Sequence, residues 1–194
     1  MADKLLTVVI TMPDNAPGDE AEHIRLMLGS GMIDRVHIRK PDWSAERIGA
    51  LIRAVGPEMY RCLSIHSCPE LLEAYPGVGY HFSASRPAPV QRPAVLSRSC
   101  HTPEEVCLTG AECDYVTLSP VFDSISKHGY RAAVFDICKE YAATRTALTV
   151  ALGGVKPEHF GELRSRGYRG AAMLGHAWTT PLQEFLNQLK CYNS

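Results

Sequence analysis

The chain has 194 residues, 45% of them apolar and 21% charged, enough to build one domain over 1–194 around a sizeable core, which excludes a disordered or fibrous protein. With 20 basic residues against 21 acidic ones the formal net charge is -1, so nothing in the bulk charge draws the chain to nucleic acid or to an anionic membrane. A small molecule is the expected partner, and homo-oligomerisation is left open.

The N-terminal apolar run in MADKLLTVVITMPDN stops at Pro13, short of a signal peptide, and no run approaches a membrane span, so a cytoplasmic protein is expected. In chain order the β-rich runs are 5–11 (LLTVVIT), 35–39 (RVHIR), 61–66 (RCLSIH), 78–82 (VGYHF), 95–100 (VLSRSC), 115–121 (YVTLSPV), 148–154 (LTVALGG) and 170–175 (GAAMLG). Segments with apolar spacing near 3.6, such as SAERIGALIRAV and FDICKEYAATR, separate most of them. Alternating strand and helix argues for a parallel sheet, and eight units are the count at which it closes into a compact (β/α)8 TIM barrel; an open doubly wound sheet is the alternative. Thr102-Pro103-Glu104-Glu105 and Thr180-Pro181-Leu182-Gln183 both read as a threonine cap followed by a helix, and Ser67 reads as a cap as well. The proline-rich SASRPAPVQRP predicts an irregular crossover between strands four and five.

A closed barrel collects its chemistry at the C-terminal strand ends. Arg39, His66, His101, Ser124, Ser126, Lys127, Gly153, Gly154 and Gly175 all fall there. Glycines after strands seven and eight let backbone N–H groups approach a phosphate, and a lysine with two hydroxyls in the strand-six loop suits the same anion. Trp43 and Trp178 are expected at the mouth or in the core.

Seven cysteines form no Cys-x-x-Cys pair, so neither a disulfide framework nor a zinc ribbon is expected. His66, Cys68, His81, Cys100 and His101 carry zinc-type donors on neighbouring loops, but their spacing matches no common site and no metal is expected.

In order and spacing, VHIRK (36–40), SCHTPEEV (99–106), DYVTLSPVFDSISKHGY (114–130), ALGGV (151–155) and GAAMLG (170–175) resemble the thiamine phosphate synthase/TenI family of small barrels. The resemblance implies a ligand such as thiazole phosphate or a similar phosphorylated heterocycle. For the synthase it implies attack of thiazole phosphate on hydroxymethylpyrimidine diphosphate, with Mg²⁺ holding the leaving pyrophosphate. Here the pattern breaks. The synthase Asn-Asp after strand three is His66-Ser67, the second acid is missing from HFSASRP, and the strand-two Gln, Arg and Lys become His37, Arg39 and Pro41.

Lys40 lies one residue out of that phase, which aims it at the other face. The TenI branch, a thiazole tautomerase, resembles the chain in lacking those acids, yet its catalytic histidine aligns with Pro120. The expectation is a TenI-like, metal-independent isomerase without a cofactor, its base drawn from His66, His101 and His128. The alternatives are a synthase that uses Mg²⁺ and a non-catalytic binder.

Overall fold

Eight strands form where the β-rich runs predict them: β1 (Leu6–Ile10), β2 (Arg35–Ile38), β3 (Leu63–Ile65), β4 (Gly79–Phe82), β5 (Leu96–Cys100), β6 (Tyr115–Leu118), β7 (Leu148–Leu152) and β8 (Gly170–Met173). Each pairs in parallel with the next and β8 pairs with β1, so the sheet is a closed barrel. The computed structural model describes residues 4–14, 16, 18–109, 112–122 and 148–193.

Seven α-helices lie among the described residues: α1 (Glu20–Gly29), α2 (Ala45–Val55), α3 (Leu71–Ala74), α4 (Pro103–Thr109), α5 (Phe160–Ser165), α6 (Gly175–Thr179) and α7 (Leu182–Tyr192). Several are only one or two turns long, which is how eight strands fit into so short a chain. The segment FDICKEYAATR lies outside the described residues.

Alternation along each strand divides the side chains between two cores. Val9, Val36, Ile38, Leu63, Ile65, Val116, Leu118 and Ala151 point outward and pack with Ile24, Ile48, Ile52, Phe160 and Phe185 of the helices. Val8, Ile10, Tyr115, Val150 and Ala172 form a separate cluster inside the barrel. The interior is asymmetric: β7, β8 and β1 fill it with aliphatic groups, whereas β2 to β6 contribute Arg35, His37, Ser64, His81, Ser97 and Tyr115, all buried.

Helix starts follow the capping chemistry in part. Thr102 accepts the Glu105 N–H at 3.3 Å, as the sequence suggests, and Ser44, not singled out there, accepts that of Arg47 at 3.3 Å. Thr180 does not cap α7; its backbone is extended and its N–H closes α6 on His176 O, so it ends one helix and Pro181 flanks the next. Nor does Ser67 cap α3. The chain turns through Cys68, at φ 58°, and Pro69, which delays that helix to Leu71. Residues 83–95 contain no helix, in line with their proline content.

Lys40, out of phase with the inward residues of β2, leaves the barrel interior for the helix layer. Its Nζ lies 2.7 Å from Glu20 Oε1 at the start of α1, donates to Asp14 O at 2.5 Å, and sits 4.6 Å above the Trp43 ring. Both charges are buried, and burial outweighs the lysine in raising the Glu20 pKa above the ordinary carboxylate value. Replacing one partner of such a pair strands the other. Lys40→Met is therefore expected to lower urea stability by about 3 kcal/mol, and the Lys40→Met/Glu20→Leu pair to recover most of the loss. A single variant as stable as the parent would show that the pair does not anchor α1 to β2.

Candidate active site

The polar half of the barrel interior converges on three imidazoles. His37 on β2, His66 at the end of β3 and His81 on β4 offer ring nitrogens that all lie within 4.8 Å of one another. Strand alternation brings them together: His37 is two residues past the inward Arg35, and the register sets β2, β3 and β4 side by side. The ring centroids of His66 and His81 are 4.4 Å apart, and those of His37 and His81 4.9 Å.

The hydrogen bonds define a chain. His37 Nδ1 and His66 Nε2 are 2.9 Å apart and share one proton, while His37 Nε2 meets the Tyr115 hydroxyl. Since each neutral ring carries one N–H, only two arrangements satisfy both contacts. Either Tyr115 donates to His37, which donates to His66, or every donor reverses. His81 is held by Ser97 Oγ at Nδ1 and Ser99 Oγ at Nε2, both at 2.8 Å. His66 keeps part of its surface open, whereas His37 and His81 are buried.

Burial without a carboxylate partner forces these rings to be neutral. Desolvation is the main cause, and mutual repulsion among the rings adds to it for His37 and His66, which fall well below the usual histidine range. His81 is lowered to about 3 by burial. Arg39 and Arg86 also act on His66 and Arg35 on His37, each disfavouring protonation. Tyr115 moves the other way, its pKa raised by burial. The result is a set of neutral rings, each with one N–H to donate and one nitrogen lone pair to accept.

The other residues singled out in the sequence surround this cluster unevenly. Arg39 is exposed at the end of β2, where its backbone is tied to Thr11 of the β1 end by Arg39 N to Thr11 Oγ1 at 2.9 Å. His101 is exposed beyond β5 and donates from Nδ1 to Ser119 O at 3.1 Å, which ties the β5 end to β6. Gly153 and Gly154 follow β7 at φ 95° and 63°, in the left-handed region that favours glycine. A side chain at Gly153 would meet Pro120 Cα at 3.0 Å, so the β6 and β7 ends touch there.

Gly175 opens α6, and a Cβ added there would meet nothing within 4 Å among the described residues. Ser124, Ser126, Lys127 and His128 lie outside the described residues. Neither tryptophan is a free lid: Trp178 donates Nε1–H to Ile10 O at 2.8 Å, and Trp43 packs against the outer core with Arg47 over its ring.

Three residues went unassigned in the sequence reading: His37, Tyr115 and Arg86, whose guanidinium lies 3.5 Å from His66 O. His37 could have been found from its shared phase with Arg39. Tyr115 and Arg86 carried no local signal.

The closed parallel sheet with its ring of helices is a (β/α)8 barrel. The thiamine monophosphate synthase (TMP-TENI) family model matches residues 7–176, and the chain belongs to that family. Among solved structures it is similar to thiamine phosphate pyrophosphorylase from Bacteroides thetaiotaomicron, at 26% identity, 95% of each chain and a TM-score of 0.78. The Pyrococcus furiosus thiamine phosphate pyrophosphorylase matches in fold at 18% identity, 98% of this chain and 96% of that one, with a TM-score of 0.78. A (S)-3-O-geranylgeranylglyceryl phosphate synthase from Thermoplasma acidophilum shares the fold at 11% identity and a TM-score of 0.67, covering 98% and 94%. A search of curated protein sequences gives no match. No described helix is long and apolar enough to cross a membrane.

Mg²⁺, which the synthase resemblance implies, is a hard cation that takes oxygen ligands, carboxylates above all. The described cluster offers imidazole nitrogens and hydroxyls and includes no carboxylate. The described cluster therefore does not fit that ion.

The neutral rings make a clear statement about pH. Unfolded, each histidine titrates near 6.5, so below about that pH the unfolded chain binds more protons than the fold. The stability that comes from burying neutral rings is complete above pH ~6.5 and is lost as pH falls toward the folded values. Each ring contributes up to about 1.4 kcal/mol per pH unit through that window. The urea midpoint is expected to drop steeply between about pH 6.5 and 4.5, with a slope smaller by about one proton in His81→Gln. An unchanged slope in that variant would contradict a neutral His81.

Proposed function

We propose that the protein is a TenI-like isomerase acting on thiazole phosphate or a similar phosphorylated heterocycle, with His66 as the general base and no metal in the step. The observation that carries this reading is the 2.9 Å contact between His66 and His37, inside a cluster that lacks a carboxylate. A base near neutral pH needs an open lone pair and somewhere to place the proton it takes. His66 is the partly open member, and its bond to His37 and Tyr115 offers a path by which charge is shared. Proton transfer to one ring nitrogen, followed by return of a proton to a second position of the substrate, is a tautomerisation. It requires no cation.

The ligand phosphate is assigned to the backbone N–H groups around Gly153, Gly154 and Gly175, to Arg39, and to Ser124, Ser126 and Lys127. Glycine at positive φ after β7 supports that assignment, as does the recurrent use of the seventh and eighth loops for phosphate. Arg39 and Arg86 place two exposed guanidiniums next to His66, so an anionic substrate would be drawn to the ring that takes its proton.

One observation favours a second reading. The family model is described as thiamine monophosphate synthase, and two similar structures are thiamine phosphate pyrophosphorylases. A synthase would form thiamine phosphate from thiazole phosphate and hydroxymethylpyrimidine diphosphate in a Mg²⁺-dependent way. The deciding experiment incubates purified protein with each substrate set, with Mg²⁺ and with excess chelator, and follows product by mass and proton exchange by NMR.

Chelator-insensitive tautomerisation is expected, and Mg²⁺-dependent thiamine phosphate in its place would overturn the reading. Stoichiometric ligand binding with neither reaction would leave a binder. In the same assay His66→Gln is expected to lower kcat by about 10²-fold or more with binding retained. Arg39→Ala is expected to weaken thiazole phosphate binding by about tenfold with the melting temperature unchanged, because it loses a charged contact at an exposed site.

A further inference from the structure

The base proposed above occupies only one corner of the imidazole cluster, and its other two members have nitrogens that a single proton cannot use. Among the described residues, His37, His66 and His81 are the one set of three such donors close enough to share an ion. We propose that this cluster is a binding site for a borderline divalent cation of the Zn²⁺ or Co²⁺ class, three-coordinate in protein nitrogen and completed by a small anion or water.

Several independent features point this way. The donors are three imidazoles whose ring nitrogens lie within 4.8 Å of one another, a ligand type that suits a borderline cation. They come from three adjacent strands of a closed barrel, so their spacing is set by the sheet rather than by a loop. A histidine ligand is ordinarily oriented by a partner on its far nitrogen, and His37 and His81 have such partners. The Tyr115 hydroxyl holds His37 Nε2, which aims Nδ1 at His66, and Ser97 and Ser99 hold His81.

The adjustment required is small. With metal–nitrogen distances of about 2.0–2.1 Å, nitrogens of a tetrahedral site are about 3.3 Å apart. The His37–His66 pair, at 2.9 Å, has to open slightly, and the widest pair, within 4.8 Å, has to close by about an ångström or more. His81 gives up one of its two serine bonds.

Protons balance without release: the one between His37 and His66 moves away, leaving His37 protonated at Nε2 toward Tyr115 and His66 at Nδ1. No bond to carbon, oxygen or sulfur changes. Arg35, Arg39 and Arg86 add positive charge around the cluster, so the fourth ligand suited to the site is anionic, hydroxide or chloride. The ion takes the His66 lone pair. If the isomerase reading holds, metal and proton compete for that nitrogen and Zn²⁺ is an inhibitor that chelator removes.

The test begins with metal alone. Equilibrium dialysis of the metal-free protein with Zn²⁺ at neutral pH is expected to give one bound equivalent, and Co²⁺ a visible tetrahedral spectrum without the near-ultraviolet band of a cobalt thiolate. That band would assign binding to exposed Cys107 or Cys191 instead and overturn the proposal. His37→Gln and His66→Gln are each expected to weaken the equivalent by more than about a hundredfold, and Tyr115→Phe, which removes only an orienting bond, by about tenfold. His159→Gln, outside the cluster, should leave it unchanged.

Should a variant fail to fold, the wild-type protein still decides: Zn²⁺ must shift the imidazole nitrogen resonances of His37, His66 and His81 together. Absence of a stoichiometric site, or shifts confined to other histidines, would overturn the proposal. Metal binding without tautomerisation would leave this inference standing and remove the isomerase, whereas chelator-insensitive turnover with no metal site would do the reverse.

Discussion

A buried imidazole with no carboxylate beside it must give up its charge, and that constraint organises one half of this barrel. In a closed sheet every second side chain points inward, so the interior has to be filled by whatever residues fall on that phase. On β7, β8 and β1 they are aliphatic and cost nothing to bury. On β2 to β6 they are Arg35, His37, Ser64, His81, Ser97 and Tyr115, each needing a partner. Arg35 finds Leu63 O at 2.9 Å and Arg61 O at 2.8 Å, which closes the floor beneath the histidines. The hydroxyls of Ser97, Ser99 and Tyr115 then serve the rings.

The same alternation sends two adjacent basic residues to different places. Arg39 remains with the interior phase and is exposed, while Lys40 turns to the helix layer and is spent on Glu20 and Asp14 O. One step along strand two therefore separates an exposed cation at the barrel mouth from a buried, structural one. That lysine also joins α1 to β2 at the end of the barrel that carries the site. Trp178 makes a comparable link from α6 to Ile10 O, so the β8 and β1 ends of the mouth are held together by a hydrogen bond rather than by a mobile cover.

The strands were legible because period-two runs bounded by turn residues survive almost any context, and the count of eight implied closure. Capping was less legible. Thr102 caps its helix, but Thr180 and Ser67 have the right neighbours and the wrong backbone: one ends the preceding helix and the other precedes a turn through Cys68 at positive φ. At the site, His66 could be placed at a strand end from sequence. Its partners could not, since His37 is 29 residues away and His81 hydrogen-bonds to Ser97 and Ser99 across a crossover with no regular structure. Which inward residues meet depends on barrel register, and register is a property of the closed sheet.

The departures from the synthase pattern gain meaning from their position. Loss of function by drift predicts unrelated replacements, scattered and individually tolerable. Here the strand-two Gln position is His37 and the strand-three Asn position is His66, and these two replacements face each other at 2.9 Å with His81 beside them. A pair of adjacent imidazoles is costly to bury, because burial disfavours the charged form of both, His81 adds to it, and neither has a carboxylate beside it. Such a cost is sustained where a site uses it. Exchange of oxygen donors for nitrogen donors also changes the chemistry in one direction, away from a hard cation holding a diphosphate and toward ligands that take a proton or a softer ion. The fold and the glycines after β7 are compatible with retained phosphate recognition, so the divergence is concentrated on β2, β3 and β4, where three strands supply one cluster.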